Sequence, residues 1–500
     1  MLYTFLALLP FAVIVYFLVF MEYKASRVLL AAFSLTFLLL AVVWRQPVWE
    51  LVAASIKGLF VTFELFLIIV GVLLIFFLLE HTKHLKRLED FLLHLSSEVP
   101  VHVVFIGFFL VVFLEAIAGF GTPALIAAPL LVLVGVRPLH AVILTLISDS
   151  VVSLFGAFGT PVLIGLEAVP VSLYEVSVYA GVIGGVILAF TPLVLLYVHA
   201  RLQKQSLASV RPYFSFALVS GVVAGLLFAL SAWLLGPEFP SVVASIGGFV
   251  VVFALLKTPL LPISLKSPSL RPAVPALLAY AVVIALLLAT RTNFLGLGWL
   301  AQEISWGVVL TPTITHSLSM YTPGALIITS AIICLLFLRP SKQVLKQTLR
   351  DTQSKAFPVI LALVWVLMFA QLIMNSAAPT IPSLIANLFS QTGVWYVFFA
   401  PVLGGFGSFS AGGATISTLM LSGVQYEVAL LHGLNPSIIL ALQLVGAGLG
   451  NMLAIHNLVA VLAVVHISRG IPLVIKTNIK VAVAFSLVAS LLAFVLLVIV

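Results

Sequence analysis

The chain has 500 residues, of which 63% are hydrophobic and only 8% are charged, and its mean hydropathy is +1.31. A soluble core of this size cannot hide so much apolar surface, so the composition excludes a soluble protein and indicates a multi-pass membrane protein. The net charge of +8 lies mostly in short loops, where it reports topology and offers no basic face to nucleic acid. The single cysteine, Cys334, excludes an intrachain disulfide.

Apolar runs of about 20 residues predict helices that span the bilayer. The first run lacks a basic start and a small-residue cleavage site, which is typical of a spanning helix and not of a removed signal peptide. The runs predicted to span are 1–20, 28–43, 57–79, 140–169, 171–199, 213–236, 241–256, 272–290, 324–338, 357–376, 437–465 and 481–500. Two further runs, 101–136 and 396–424, are too long for one simple crossing, and glycine interrupts both near their centres.

Lysine and arginine decide how these two long runs are arranged. Both residue types cluster in six loops and are absent from 292–323, 377–395 and 425–436, with Arg45, Lys57 and Arg291 as mild exceptions to the pattern. Because cytoplasmic loops carry the excess of Lys and Arg, the loops alternate correctly only if both long runs are re-entrant hairpins. The sequence therefore predicts an all-α polytopic membrane protein with about 12 transmembrane helices, two re-entrant hairpins and both termini outside.

The order of these elements predicts two inverted units. Residues 1–210 form the first unit, with a hairpin at about 101–136 and a broken helix at about 140–169. Residues 211–256 form a linking pair of helices. The segment 81–99 alternates charged and apolar positions, which predicts an amphipathic helix at the cytoplasmic interface.

The second unit, residues 257–500, repeats the order with the opposite orientation. Its hairpin is predicted at about 396–424 and its broken helix at about 437–465. Inverted repeats with broken helices suit alternating access around a central binding site.

The tetrapeptide Phe-Gly-Thr-Pro occurs twice, at 120–123 and at 158–161, each time inside an apolar run. Backbone broken at membrane depth is tolerated only where protein or a watery cavity surrounds it. Threonine suits a helix N-cap and proline the first helical position, so each copy should end one half-helix and begin another. The new N-termini would attract an anion. The candidate substrate-binding residues here are Gly121, Thr122, Gly159 and Thr160.

The second unit has a counterpart with different residues. The hairpin tip, 404–417, is rich in glycine and hydroxyl groups, and the broken helix carries an amide and an imidazole. Small residues let helices approach closely, and hydroxyl and amide groups can donate to a carboxylate. The candidate substrate-binding residues here are Ser408, Ser410, Thr415, Asn451 and His456.

Acidic residues are rare at membrane depth in this chain. Glu115 precedes the first Phe-Gly-Thr-Pro break, Asp149 lies in the next segment, and Glu64 lies in the third span. An ionised carboxylate at that depth is costly, so such a group is suited to taking up a proton. We predict Glu115 and Asp149 as the proton-coupling residues. The absence of Lys and Arg at this depth in both units favours a monocarboxylate over a dicarboxylate or phosphate.

The run from Leu114 to Pro123, Leu-Glu-Ala-Ile-Ala-Gly-Phe-Gly-Thr-Pro, resembles the lactate permease family. The similarity continues through 135–139, 155–159, the tip at 404–417 and 450–452, and it covers most of the chain. This resemblance implies proton-coupled uptake of L-lactate, and often of glycolate and other 2-hydroxy monocarboxylates, across the plasma membrane.

The sequence departs from that family at four positions. The family usually has Asn at Asp149, Asp at Ala414, Lys at Asn451 and Gln at His456. One acid is therefore missing from the second unit while another appears in the first. Our hypothesis is that Asp149 replaces the missing acid across the central site.

Other functions stay open at this point. A sodium-coupled carrier for another small organic anion would use unwound carbonyls and Asp149 to coordinate Na⁺. A membrane-embedded enzyme is less favoured, because the spans lack a His-x-x-x-His motif and a cysteine pair. A channel is less favoured because broken inverted units are typical of carriers. We expect a small carboxylate substrate, a lipid bilayer, H⁺ as the coupling ion, no cofactor, no metal and no nucleic acid, and make no prediction of oligomeric state.

Overall fold

The computed structural model describes residues 2–17, 21, 23–119, 122–256, 263, 266, 269, 271–291, 305–312, 314–319, 322–467 and 470–499. The helices of the first half are α1 Leu2–Val15, α2 Ala25–Val42, α3 Val48–His81, α4 His84–Leu93, α5 Val99–Ile117, α6 Thr122–Leu133, α7 Pro138–Val152, α8 Gly156–Leu163, α9 Leu173–Leu202, α10 Leu207–Leu235 and α11 Pro240–Leu255.

The second half begins with helix α12 and a short antiparallel pair of strands, β1 Ser305–Val309 and β2 Thr315–Ser319. Its helices are α12 Val274–Arg291, α13 Pro323–Leu338, α14 Lys342–Met374, α15 Ile381–Ala386, α16 Ala400–Ala411, α17 Ala414–Leu431, α18 Pro436–Asn451, α19 Ile455–Val464 and α20 Ile471–Ile499.

The described part of the chain is almost entirely helical, and it contains ten helices that are long and apolar enough to cross a membrane. This confirms the predicted all-α multi-pass fold. Helix α14 begins well before the predicted span at 357, because its first turns are polar and a hydropathy count starts late. Helix α3 begins at Val48, ahead of the predicted start at 57, and its first turns are mostly apolar. The pair of strands was not predicted. Helix α4 buries Leu85, Leu88 and Phe91 on one face, as expected of an amphipathic helix.

The first long apolar run folds back on itself. A Cβ placed on Gly107 of α5 would lie 3.4 Å from Leu131 Cδ1 of α6, so the two arms run antiparallel. The chain turns after Ala118, and Gly119 adopts a φ of +55° that favours glycine. The arms, 99–117 and 122–133, match the hairpin predicted at 101–136.

The second long run is also a hairpin. Ser417 Oγ donates to the Gly404 carbonyl oxygen at 2.7 Å, and Gln425 Nε2 donates to the Ala400 carbonyl oxygen at 2.9 Å, so α16 and α17 run antiparallel. The turn lies at Gly412, whose φ is +87°. Helix α17 continues to Leu431, beyond the predicted end at 424, because polar side chains interrupt the apolar pattern but not the helix.

Both predicted broken helices are present. In the first broken helix, Ala157, Phe158 and Gly159 lie near the start of α8 and have φ values of +43°, +55° and +79°. Such angles are costly for the two residues that carry a Cβ, so the surrounding packing must maintain this break. In the second broken helix, α18 ends at Asn451 and α19 begins at Ile455. The unit boundaries 1–210, 211–256 and 257–500, and the orientation of the termini, stay predictions.

Each broken helix packs against the hairpin of the other unit. Helix α8 contacts α17, and α19 contacts α6. The two broken helices also meet directly, because a Cβ on Gly448 of α18 would clash with the Ser150 carbonyl oxygen of α7. Small residues here allow the backbones to touch. The packing therefore brings two hairpin tips and two helix breaks to the same region.

Candidate functional site

A small cavity lies where the hairpin tips and helix breaks meet. Its volume is about 50 Å³. A buried water needs about 10–15 Å³ on this scale, so the cavity holds a few waters or one molecule of a few heavy atoms. Its lining comprises Glu115, Gly119, Ser153, Gly156, Ala157, Thr160, Pro161, Val359, Leu363, Gly412, Gly413, Ala414, Thr415, Ile416 and Asn451.

Glu115 and Asp149 form a buried pair of carboxyl groups beside this cavity. Glu115 is 4% exposed and Asp149 is 0% exposed, and their side chains interact directly. Glu115 fits only because residue 156 is glycine, since a Cβ there would clash with Glu115 Oε1. Ionising two adjacent buried carboxyl groups at the same time is costly.

Amide groups continue the polar contacts from Asp149 into the second unit. Asn451 Nδ2 donates to Asp149 Oδ2 at 3.3 Å. Asn457 Nδ2 donates in turn to Asn451 Oδ1 at 2.8 Å and to the Asn451 carbonyl oxygen at 3.3 Å. A change in the charge of Asp149 is therefore felt directly at the break in the second broken helix.

Two hydroxyl groups approach each other across the cavity. Thr160 Oγ1 of α8 lies 3.4 Å from Thr415 Oγ1 of α17, so one residue of each unit contributes. Thr160 Oγ1 also donates to the Gly156 carbonyl oxygen at 3.2 Å. Each hydroxyl can donate one hydrogen bond and accept others, which suits a small oxygen-rich anion.

The N-cap role predicted for the two threonines is wrong. Thr122 Oγ1 donates to the Gly119 carbonyl oxygen at 2.9 Å, and Thr160 Oγ1 likewise donates backwards to Gly156. An N-cap side chain would instead accept from a backbone N–H ahead of it. At the first break the Thr122 backbone N–H also donates to the Gly119 carbonyl oxygen, at 3.1 Å, so backbone and hydroxyl share one acceptor.

The structure brings some of the sequence-predicted site residues together and not others. Thr160, Thr415 and Asn451 line the cavity with Glu115, and Asp149 lies in contact behind them. Thr122, Gly159, Ser408 and Ser410 are absent from the lining. Gly121 and the side chain of His456 lie outside the part of the chain that the structure describes.

The residues outside the lining have other surroundings. A Cβ on Gly159 would clash with the Pro237 carbonyl oxygen, so this glycine serves close packing of the break. The Ser408 and Ser410 hydroxyl oxygens are buried and have no hydrogen-bond partner among the described residues.

Eleven of the fifteen lining residues, among them Ser153, Gly156, Val359 and Leu363, were not predicted site residues. Ser153 and Gly156 stand just before the second Phe-Gly-Thr-Pro, so that motif could have drawn attention to them. Val359 and Leu363 belong to α14, outside both hairpins and broken helices. An apolar residue in an apolar helix carries no signal that it faces a site.

A buried polar network fixes the second hairpin against α18. Tyr396 Oη donates to Gln425 Oε1 at 2.8 Å, and Gln425 Nε2 donates to Gln443 Oε1 at 2.8 Å. Gln443 Nε2 then donates to Ser417 Oγ at 3.2 Å. Satisfied networks of this kind rigidify the elements they join. In the sequence, Gln425 and Gln443 are polar residues next to or within apolar runs, and this pattern could have indicated the network.

Comparisons with known proteins match the chain to one family. The profile of the L-lactate permease family matches residues 4–267 and 270–500. Three relatives have names that contain L-lactate permease. The relative from Haemophilus influenzae is 28% identical over 80% of this chain and 80% of its own length. The relative from Streptococcus iniae is 26% identical over 65% of this chain and 69% of its own length, and the one from Bacillus subtilis is 23% identical over 92% and 90%. Among solved structures, Neisseria gonorrhoeae MtrF, of a class of antimetabolite efflux pumps, is 15% identical over 88% of this chain and 83% of that one, with a TM-score of 0.44.

Proposed function

Because the chain belongs to the L-lactate permease family, we propose that it takes up L-lactate, or a related 2-hydroxy monocarboxylate such as glycolate, across the plasma membrane together with a proton. The observation that carries the proposal is the buried Glu115–Asp149 pair beside a cavity lined by hydroxyl and amide groups. The pair supplies the proton site, and the hydroxyl and amide groups supply the anion site.

The proximity of the two sites explains how proton and substrate would be coupled. An ionised Glu115 would repel a substrate carboxylate by about 4 kcal/mol at a separation of about 4 Å and an effective dielectric constant of about 20. Protonation removes this repulsion, so the anion binds well only after the proton. By linkage, a bound anion strengthens proton binding by the same factor.

The donors around the cavity suit a small monocarboxylate. Thr160, Thr415 and Asn451 can donate to a carboxylate and to a neighbouring hydroxyl group. Glu115 is the only charged residue in the lining among the described residues, so a second carboxylate on the substrate would find no cation there. The small volume likewise favours an acid of two or three carbons over a longer one.

Transport then requires that the cavity open to one side at a time. The site sits between two units whose hairpins and broken helices contact each other crosswise. Rocking of one unit against the other would expose the cavity alternately, as in other carriers built from inverted repeats. The carrier that holds both a proton and the substrate anion would release both inside the cell.

The test is uptake by the purified protein in proteoliposomes. Labelled L-lactate is offered under an inward pH gradient and, separately, under a sodium gradient. We expect accumulation with the pH gradient alone, inhibited by unlabelled glycolate and not by succinate. Accumulation driven only by sodium would overturn proton coupling, and a lack of competition by glycolate would narrow the substrate range to lactate.

A further inference from the structure

A second group of polar side chains lies away from the candidate site. This outer cluster consists of Lys57, Glu64, Glu167, Gln371 and His316, contributed by α3, the segment after α8, α14 and β2. Charged side chains are rare in this chain, and long-range convergence of five polar groups from four elements is not a by-product of helix packing.

Glu167 is the centre of the outer cluster. Its Oε2 accepts a hydrogen bond from Gln371 Nε2 at 2.7 Å. Its Oε1 lies 3.8 Å from Lys57 Nζ and 3.9 Å from His316 Nδ1. The carboxyl is thus positioned from three sides, although it belongs to a segment without regular helix.

The outer cluster borders a water-accessible cavity of about 420 Å³, lined by Glu64, Glu167, Gly307, Thr315 and His316. His316 stacks on Phe60 with ring centroids 5.6 Å apart and is 9% exposed. Its Nε2 lies 3.5 Å from Glu64 Oε1 and makes no hydrogen bond within the described residues. An imidazole nitrogen without a hydrogen-bond partner and two carboxyl groups therefore face the same space.

The outer cluster and the candidate site are joined by shared elements. Helix α14 carries Leu363 at the central cavity and Gln371 eight residues later, a rise of about 12 Å along the helix. Likewise, only a short stretch of chain separates Thr160 of the central cavity from Glu167 of the outer cluster. The predicted topology places Lys57, Glu167 and the 292–323 segment towards the outside, so the outer cluster lies on the outward side of the central cavity.

The electrostatics of Glu167 suit reversible protonation. It lies beyond the end of the spanning helix at Leu163, and burial raises the pKa of its carboxyl above that of a free glutamate. Lys57, His316 and Gln371 oppose this rise, and Glu64 adds to it. A raised pKa means that Glu167 keeps a proton to higher pH than an exposed glutamate does.

We propose that the outer cluster is the proton-loading site of this carrier. A proton from outside water binds the Glu167 carboxylate, with Glu64 and His316 as neighbouring acceptors. It then moves through water to the Glu115–Asp149 pair when the central cavity opens outward. The proton leaves one carboxyl and joins the other, so charge balances. This inference rests on the proposed proton coupling.

Glu167→Gln tests it, with Glu64→Gln and His316→Gln as independent variants. Glu427→Gln is the matched control, because Glu427 is an acid predicted on the same side but outside the outer cluster. For each protein, the initial rate of pH-driven lactate uptake is measured while the external pH is varied, and lactate exchange is measured without a gradient.

The expected result is a selective defect at alkaline external pH. There the Glu167→Gln rate should fall at least about tenfold, because a positioned proton-transfer group typically contributes about 10²–10⁴-fold to its step. Near-normal rates should return at acidic external pH, and exchange should be unchanged. A pH profile equal to that of wild type and Glu427→Gln in all three variants would overturn the proposal, as would a parallel loss of exchange. Absence of pH-driven uptake in wild type would instead overturn the proposed function.

Discussion

The two hairpin-and-broken-helix units present different chemistry to the same cavity. The first unit contributes both acids, Glu115 and Asp149, together with a break held in left-handed conformations. The second contributes glycines, a hydroxyl and an amide, and no acid to the cavity lining within the described residues. The difference teaches that two similar architectures can divide one task. Under the proposed function, the first unit handles the proton and the second completes the anion site.

The largest effect should come from removing the acids of the first unit. Glu115→Gln and Asp149→Asn should each lower pH-driven lactate accumulation about a hundredfold or more, because neither amide can take up and release a proton. Exchange without a gradient should persist, since it requires no net proton release. The measurement is uptake and exchange in proteoliposomes, with Glu427→Gln as control. Unaltered accumulation in Glu115→Gln would remove this residue from coupling.

Moving an acid between the units tests whether the division is fixed. Ala414 lines the cavity in the second unit, and the resemblance described in the sequence analysis implies Asp at this position. In the double variant Asp149→Asn with Ala414→Asp, pH-driven uptake should recover about tenfold relative to Asp149→Asn alone, because a titratable acid again borders the cavity. Asp149→Asn with Ala414→Ser supplies a polar control without an acid. Equal rates in the two double variants would refute the replacement hypothesis.

The hydroxyl pair that joins the units should affect substrate affinity more than coupling. Thr415→Val removes a donor but keeps the shape, and a lost hydrogen bond to a charged group costs about 1.5–3 kcal/mol. The KM for lactate should therefore rise about tenfold or more, with the pH profile retained. Thr160→Val should show the same change. Thr329→Val, on the exposed face of α13, should leave the KM as it is.

The smallest effect on transport is expected from the polar network of the second unit. Gln443→Leu removes one of the two acceptors of Gln425 Nε2 and the donor to Ser417 Oγ, while each group keeps its bond to a backbone carbonyl oxygen. The buried N–H left unpaired on Gln425 costs about 1–3 kcal/mol of stability. The melting temperature in detergent should fall, while the KM for lactate stays near that of wild type. Gln353→Leu, outside the network, is the comparison variant. A large rise in KM without a drop in melting temperature would give Gln443 a direct role in binding.

Much of the architecture could be predicted because glycine and charge are local signals. Glycine inside an over-long apolar run identified both hairpins, and the Lys and Arg count decided that they fold back. The same reasoning missed the start of α14 at Lys342, since a helix that leaves the membrane turns polar without ending. It also missed the strands, which are only five residues long.

The site was less predictable, because contacts between distant segments leave no mark on either segment alone. Glu115 and Asp149 were identified as unusual acids, but their direct interaction comes from the packing of α5 on α7. Ser408 and Ser410 were chosen for their hydroxyl groups and do not line the cavity. Val359 and Leu363 line it and look like ordinary apolar residues. Residue type indicated which chemistry was present, and only the packing showed which groups share one cavity.

The crossing of the two broken helices at Gly448 and Ser150 has a mechanical consequence. Side chains that pack as ridges into grooves would resist tilting of one helix on the other. At this crossing one backbone rests on the other without a side chain between them. We therefore expect this crossing to act as a pivot, about which the two units rotate without separating packed side chains. Asp149, one residue from Ser150, would move little during that rotation. A position that moves little suits the proton site of the proposed function.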